Sequence, residues 1–140
     1  MKKYRFGRAE RLKSRKVIGS LFKEGKSFGQ YPIRFVWMEV PHKEGNAKFQ
    51  FTATVPKRRF KRAVDRNKIR RQIKEAYRLH KHQLFEAVTK ADTSYAIMVI
   101  YTGKEALPYI DIERAMRKGI GRVLSRLGEP STGSSLHTPS

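Results

Sequence analysis

The segment from Lys57 to Arg78 reads KRRFKRAVDRNKIRRQIKEAYR and holds eleven basic side chains but only two acids, Asp65 and Glu75. Its net charge of +9 is close to half of the +20 that the whole chain carries. Core packing needs no such concentration of one charge, whereas binding to a polyanion would neutralise it. The segment therefore predicts a nucleic-acid-binding surface, and it predicts a long helix as the element that carries it.

This helix is expected over residues 66–88, with Asp65 as its N-cap. Helical periodicity gathers one narrow apolar sector that must face the core, formed by Ile69, Ile73, Ala76, His80 and Leu84. An adjoining sector collects Asn67 and four bases, Arg70, Arg71, Lys74 and Arg78, with Arg66 at the edge between the two. A face that serves only solubility would mix both signs of charge, so this sorted face favours phosphate binding.

The remaining patterns place this helix within a small α+β domain. They predict, in order, a helix over 15–24 capped by Ser14 and ended by Gly25, strands over 33–40 and 49–55, the basic helix, a strand over 95–101 and a helix over 110–127. The first two strands alternate apolar and polar residues and are expected to be antiparallel, whereas the third is apolar throughout and is expected to be buried on both faces. The order αββαβα indicates a sheet with helices packed on it.

Composition limits the class of protein further. A chain of 140 residues with 39% hydrophobic residues predicts a single domain over 14–127, between a mobile basic arm over 1–13 and a disordered tail over 128–140. The absence of cysteine excludes a disulfide framework and fits a reducing, cytoplasmic location. No apolar stretch reaches the roughly 18–20 residues that span a bilayer, so no membrane partner is expected.

Three aromatic side chains are candidates for stacking on unpaired bases. Phe35 and Trp37 share one face of a predicted strand, and Phe22 lies near the end of the first predicted helix. One face of an antiparallel sheet must be buried while the other can bind a partner. Ordinary core packing therefore stays open as the alternative for each of them.

Enzymatic chemistry within the chain finds little support. His80 and His82 are two residues apart on a helix, and such side chains point in different directions. The segment Gly25-Lys26-Ser27 resembles the end of a phosphate-binding loop, but Ser20 occupies the position of that motif's first glycine. The acids are dispersed along the chain, so no catalytic residue, metal ligand or small-molecule substrate is predicted.

The order of residues in the basic helix resembles a known signature. Ala63-Val64 followed by Arg66 to Glu75, RNKIRRQIKE, resembles the RNR motif of the bacterial ribonuclease P protein family. Arg66, Asn67, Arg71 and Glu75 match that motif, whereas Arg70 stands where Lys is usual and Lys74 where Arg is usual. Supporting similarities lie in Val55-Pro56-Lys57-Arg58 and in Leu21 to Gly25, and the resemblance extends over residues 12–127.

This resemblance implies a fold and a function. The fold would be α+β, a mainly antiparallel sheet packed by helices with a left-handed βαβ crossover, as in ribosomal protein S5 domain 2-like proteins. The chain would be the protein subunit of ribonuclease P and would assist the Mg²⁺-dependent endonucleolytic removal of the 5′ leader from precursor tRNA. The catalytic subunit would be RNA, Mg²⁺ would be held mainly by RNA and substrate, and a cleft between the first helix and the sheet would take the leader.

The resemblance and the charge pattern together assign roles to individual residues. Contacts with the catalytic RNA are expected from Lys57, Arg58, Arg62, Arg66, Asn67, Arg70, Arg71, Lys74 and Arg78. The leader groove is expected to be lined by Phe22, Phe35 and Trp37. Two other classes remain open, a ribosomal or general RNA-chaperone protein and a nuclease that acts without RNA.

Overall fold

A computed structural model describes residues 7–41, 45, 47–87 and 93–127 of the chain. The structure begins with a short 3₁₀ helix over Arg8–Glu10. The elements that follow are α1 (Arg15–Glu24), β1 (Lys26–Gln30), β2 (Ile33–Pro41), β3 (Phe49–Thr54), α2 (Ala63–His80), α3 (His82–Ala87), β4 (Thr93–Tyr101) and α4 (Tyr109–Arg126). None of the helices in the described ranges is both long and apolar enough to cross a membrane.

The four strands form one sheet in the order β1-β2-β4-β3. β4 pairs antiparallel with β2 and parallel with β3, so the expected opposite directions of β2 and β3 are correct although the two are not neighbours. The chain passes from β3 through α2 and α3 into the adjacent parallel strand β4, which is a βαβ crossover. The α+β architecture with a mostly antiparallel sheet is thus confirmed.

β1 is the strand that sequence patterns missed. It spans Lys26–Gln30 and pairs with β2 from Lys26↔Trp37 to Gln30↔Ile33. Only Phe28 in this strand is buried, and Gly29 interrupts the run, so its five residues carry no clear alternation. The pairing with β2 orders this segment, and that is a tertiary effect.

Apolar side chains cover both faces of the sheet. On one face α2 and α4 bury the larger cluster, which includes Phe35, Trp37, Phe51 and Ile97. On the other face α1 buries Leu21 against Val36, Ala96 and Met98, with Leu12 beside them. The expectation that the strand over 95–101 is buried on both faces is correct, because its residues alternate between the two clusters.

The helix predicted over 66–88 differs from α2 at both ends. α2 begins at Ala63 with Arg62 as its N-cap, so Asp65 lies in the first turn rather than at the cap. In the first turn its carboxylate still interacts favourably with the positive N-terminal end of the helix dipole. The helix ends at His80, and a separate helix, α3, follows. Ile69, Ile73, Ala76 and Leu84 are buried as predicted, whereas His80 is half-buried and contacts the Glu113 carboxylate at 2.7 Å.

The segment over residues 7–13, here called the strap, is the part of the predicted arm over 1–13 that the structure describes. It lies beside the edge strand β3, where Arg11 and Phe51 form a parallel bridge and the Leu12 N–H donates to the Phe51 carbonyl at 3.0 Å. The Ala47 N–H donates to the Ala9 carbonyl at 3.1 Å. The strap therefore covers part of a sheet edge that would otherwise expose unpaired backbone groups. The tail expected over 128–140 lies outside the described residues.

Two glycines of α4 give a matched test of helix–sheet packing. A Cβ atom at Gly119 would lie 2.1 Å from the Phe35 ring, whereas one at Gly121 would meet no atom within 4 Å. Gly119→Ala is expected to lower the free energy of unfolding by about 1–3 kcal/mol through overpacking. Gly121→Ala is expected to raise it by up to about 1 kcal/mol through helix propensity. Urea unfolding of both variants measures the difference, and equal effects would show that α4 can shift away from the sheet.

Candidate nucleic-acid interface

The cationic face of α2 points away from the core of the domain. The buried residues Ile69, Ile73, Ala76 and Tyr77 define the inner side of the helix, and Asn67, Lys68 and Arg71 are exposed on the outer side. Lys57 and Arg58 are exposed in the turn that precedes α2, and Arg62 is exposed at its N-cap. The structure thus brings the predicted RNA-binding residues together on α2 and on the loop that leads into it. Fixed cations on one exposed face are suited to a chain of phosphates.

Arg66 organises the loop before the helix. Its guanidinium Nη1 donates to the carbonyl of Phe60 at 2.7 Å and to that of Lys61 at 2.9 Å. The guanidinium group is planar, so these two hydrogen bonds from one of its nitrogens fix its orientation relative to the loop. The first residue of the RNR motif therefore supports the backbone between β3 and α2 in addition to carrying charge toward a ligand.

Two further contacts orient side chains of the motif. The Arg70 Nη1 donates to the Asn67 Oδ1 at 2.7 Å, which holds both side chains one turn apart on the exposed face. Arg78 makes a two-point contact with Glu75, at 3.0 Å from Nε to Oε1 and 2.7 Å from Nη2 to Oε2. Such preorganised groups lose less conformational entropy when they bind a partner. Asn67 and Glu75 thus act on their basic neighbours, a role that charge counting did not predict.

Lys74 lies at the side of the helix that faces the strap. Partial burial, together with the neighbouring guanidinium groups of Arg70 and Arg11, lowers the pKa of its ammonium group. The charges of Arg70 and Arg11 therefore repel that of Lys74, and an anion bound beside Lys74 would relieve this repulsion. Arg11 was not predicted as part of this surface, because it precedes Lys74 by 63 residues in the sequence.

Replacing Lys74 by Met is expected to stabilise the free protein while weakening its binding to RNA. The folded-state pKa lies below the ordinary value of 10.5, so the charged ammonium disfavours folding at neutral pH. Removing the like-charged Arg70–Lys74 pair should add about 0.2–0.5 kcal/mol to the free energy of unfolding. The gain should shrink as the pH rises toward 10.5. Denaturation at pH 7 and at higher pH, with Lys104→Met as the control, would contradict this if Lys74→Met were destabilising at pH 7.

The three predicted groove aromatics do not lie together. Phe35 and Trp37 are only 1% and 2% exposed and belong to the core beneath α2 and α4, so neither can stack on a base. Phe35 instead stacks on Phe28, with 5.1 Å between ring centroids. Phe22 is 65% exposed on α1 and is the aromatic of this set that a ligand can reach. The assignment of Phe35 and Trp37 to a groove is therefore wrong, because the alternation of β2 directs both toward the buried face.

A cavity of about 830 Å³, here called the strap cavity, lies between the strap, α1 and the ends of β2 and β3. Its cationic lining consists of Arg8, Arg11, Lys13 and Lys16, and its apolar lining includes Val17, Met38 and Val40. Phe22 is not among the lining residues. Ser20 of α1 does line the cavity. Phe22 is two residues further along the helix, a rotation of about 200°, so it lies on the opposite side of α1. The sequence signal for this site was the basic arm, which indicated charge but gave no position in the fold.

The fold and the cationic helix define a class of protein. It is that of small basic α+β proteins in which arginine and lysine side chains are gathered on the exposed face of one helix. The model of the ribonuclease P family matches residues 6–124. The ribonuclease P protein component of Porphyromonas gingivalis is 35% identical over 116 residues, which are 83% of this chain and 84% of the relative. That of Chlorobium phaeobacteroides is 29% identical over 126 residues, covering 84% of each chain.

Solved structures agree with these sequence similarities. The Staphylococcus aureus RNase P protein aligns with a TM-score of 0.62 at 20% identity, over 81% of this chain and 94% of its own. The Thermotoga maritima RNase P protein aligns with a TM-score of 0.56 at 24% identity, over 84% and 97%. The chain belongs to the ribonuclease P protein family. Membership of this family implies an RNA partner in a ribonucleoprotein.

Proposed function

We propose that this chain is the protein subunit of ribonuclease P, which binds the catalytic RNA and the 5′ leader of precursor tRNA and assists removal of the leader. The observation that carries the proposal is the order of residues on the exposed face of α2. Arg66, Asn67, Arg71 and Glu75 keep the family motif, and the contacts Asn67–Arg70 and Glu75–Arg78 orient its cations. Family membership supports the assignment of this face to RNA.

The cationic face of α2 is the surface that we assign to the catalytic RNA. Lys57, Arg58 and Arg62 extend it along the loop, and Arg78 extends it toward the end of the helix. Arginine offers bidentate contacts to phosphate, and the amide of Asn67 can meet a base edge or a 2′-hydroxyl. At Lys74 the family's usual guanidinium is replaced by a point charge, so the contact there is expected to be less directional.

The leader is proposed to pass beside α1, where Phe22 is exposed. An aromatic ring can stack on an unpaired base of any sequence, which suits a subunit that serves many precursor tRNAs. Lys23 and Lys26 are close in sequence and supply positive charge at the end of the same helix. With Phe35 and Trp37 buried, the proposed leader contact depends on Phe22 among the three aromatics named from the sequence.

Acidic side chains are dispersed over the described part of the chain. Several of them pair with bases, as in Glu10–Lys81, Glu75–Arg78 and Glu113–His80. Within the described ranges, no group of three or more His, Cys, Asp or Glu side chains is placed to hold a metal ion. Following the family resemblance, we assign the Mg²⁺ of the reaction to the RNA and the substrate. The absence of cysteine suits a reducing cytoplasm, which is the location that we propose.

Reconstituted cleavage tests this function directly. The chain with a bacterial ribonuclease P RNA should cleave precursor tRNA at a low Mg²⁺ concentration where the RNA alone is slow, and the purified chain alone should not cleave. A chain that leaves cleavage unchanged but anneals RNA strands would favour the RNA-chaperone alternative. Cleavage by the chain alone, after rigorous nuclease removal, would favour the nuclease alternative.

The salt dependence of binding tests the surface itself. If roughly 6–8 phosphates are neutralised, the slope of log K against log[salt] should lie between about −4 and −7. Filter binding to the catalytic RNA over a series of salt concentrations gives this slope. A slope near zero would show that the cationic face of α2 is not the binding surface.

A further inference from the structure

The groove between α2 and the start of α4 contains a hydroxyl group that lacks a hydrogen-bond partner. This groove has a volume of about 390 Å³ and is lined by Lys68, Arg71, Gln72, Glu75 and Tyr109. The Tyr109 hydroxyl is buried, and within the described ranges it has no hydrogen-bond partner. A buried polar group without a partner is unfavourable in the free protein. Its presence is explained if the hydroxyl gains a partner when a ligand binds.

Tyr109 lies beside the ion pair of Glu75 and Arg78. Burial raises the pKa of its hydroxyl above the ordinary value of 10.0, the carboxylates of Glu75 and Glu113 raise it further, and Arg78 opposes this change. The hydroxyl therefore stays protonated at neutral pH and can donate a hydrogen bond. Glu75 shares the groove with it, whereas the Glu113 carboxylate already contacts His80 at 2.7 Å. Glu75 is thus the acceptor best placed to meet this donor.

Glu75 is an acid within a surface that is proposed to bind phosphates. Arg71 precedes it by four residues, so the two side chains are neighbours on the helix, and a phosphate bound at Arg71 would lie near the Glu75 carboxylate. In the free protein Arg78 neutralises this carboxylate through two contacts, at 3.0 Å and 2.7 Å. If the Arg78 guanidinium turned to a phosphate, the carboxylate would be left uncompensated beside another anion.

The Glu75–Arg78 pair is one that RNA can open. Both side chains are partly exposed, 34% for Arg78 and 46% for Glu75, and exposed ion pairs contribute little to stability. A contact between arginine and phosphate is charge-assisted and can be bidentate, so a chain of phosphates competes well for Arg78. The exchange therefore needs a second donor for Glu75 more than it needs energy to break the pair.

We propose that Tyr109 is a positioning residue of the RNA-binding surface, and that Glu75 exchanges one donor for another when RNA binds. Arg78 turns from Glu75 to a phosphate of the catalytic RNA, and the Tyr109 hydroxyl donates to the carboxylate that Arg78 leaves. The exposed Glu75 side chain makes the movement, so the Tyr109 ring can stay packed against the core. This proposal rests on the function proposed above, and it gives a role to the unpaired hydroxyl and to the acid of the RNR motif.

Tyr109→Phe tests this role because it removes only the hydroxyl. Affinity for the catalytic RNA should fall by roughly 10-fold, the size of one lost hydrogen bond to a charged group. The urea midpoint of the free protein should stay the same or rise, because an unpaired buried group is removed. A lower midpoint would show that the hydroxyl already has a partner in the free protein, and would overturn the proposal.

Tyr101→Phe is the matched control, because its hydroxyl is paired within the protein. That hydroxyl donates to the Glu105 carbonyl at 2.6 Å and accepts from the Leu107 N–H at 3.0 Å. The variant should lower the urea midpoint and change affinity for the catalytic RNA by less than about 2-fold. Equal losses of affinity in the two tyrosine variants would show that a hydroxyl acts only through stability, and would overturn the positioning role.

Glu75→Ala separates the exchange from a direct contact between the hydroxyl and RNA. In that background the hydroxyl has no carboxylate to meet, so adding Tyr109→Phe should change affinity for the catalytic RNA by less than about 2-fold. A loss of roughly 10-fold in both backgrounds would show that the hydroxyl contacts RNA itself, and would overturn the exchange. If the wild-type chain binds this RNA and Tyr109→Phe binds it equally well, only the exchange fails. A wild-type chain that does not bind it would contradict the proposed function, and the exchange with it.

Discussion

Replacing Arg66 and Arg71 together by Ala is expected to weaken binding to the catalytic RNA by about 10²- to 10⁴-fold. Each charged hydrogen bond to phosphate contributes about 1.5–3 kcal/mol, and the substitution removes two arginines of the RNR motif. Arg71 is exposed on α2, and Arg66 lies at the edge of the same face. Filter binding to a bacterial ribonuclease P RNA at fixed salt measures the loss.

The control for this experiment must separate motif geometry from bulk charge. Lys104→Ala/Lys118→Ala makes the same change in net charge at two exposed positions outside α2 and should cost much less affinity. Because Arg66 also holds the carbonyls of Phe60 and Lys61, the single variant Arg71→Ala is measured beside the pair, and the stability of each variant is determined. An equal loss in the lysine pair would reduce the motif to nonspecific electrostatics.

Replacing Phe35 by Ala is expected to lower the free energy of unfolding by about 3–5 kcal/mol, a large part of the stability of a domain of this size. The ring is 1% exposed, stacks on Phe28 and fills the space against Gly119 of α4. Its removal therefore leaves a cavity between the sheet and α4. Chemical denaturation measures the effect, and a loss below 1 kcal/mol would mean that the site collapses around the missing ring.

Phe22→Ala is the matched substitution on the surface. Its ring is 65% exposed, so the free energy of unfolding should change by no more than about 0.5 kcal/mol. Affinity for precursor tRNA should fall by about 1–3 kcal/mol if the ring stacks on a leader base. Affinity for mature tRNA should be unchanged. An unchanged affinity for the precursor would remove Phe22 from the leader contact and leave the strap cavity as the remaining candidate.

The local elements were predictable because their signals are local. Ser14 accepts a hydrogen bond from the Val17 N–H at 3.2 Å and begins α1, as capping preferences predict. Gly25 follows the last residue of α1 as predicted, but its backbone is extended, and a side chain there would clash with the Leu21 carbonyl at 2.6 Å. The alternation of β3 and the apolar run of β4 reflect burial on one face and on both faces of a sheet. The start of α2 was not predicted correctly, because an aspartate is favourable both as an N-cap and in the first turn of a helix. In the structure Asp65 lies in the first turn, and the helix begins at Ala63.

The groove aromatics show where periodicity stops being informative. Alternation correctly places Phe35 and Trp37 on one face of β2, but it cannot say which face the helices cover. That choice depends on α2 and α4, which follow much later in the chain and pack on the face that carries both rings. The same limit applies to Glu10 and Lys81, since nothing near either residue predicts a partner 71 positions away.

By itself, the sequence determined the sorting of charge on α2, the identity of the RNR motif and the helices and strands with strong periodicity, because these depend on residues within a few turns of one another. The tertiary structure alone decided the insertion of β4 between β2 and β3, the docking of the strap and the site of the strap cavity. These features depend on contacts between distant segments, whose free energy comes from burial and backbone pairing in the completed fold.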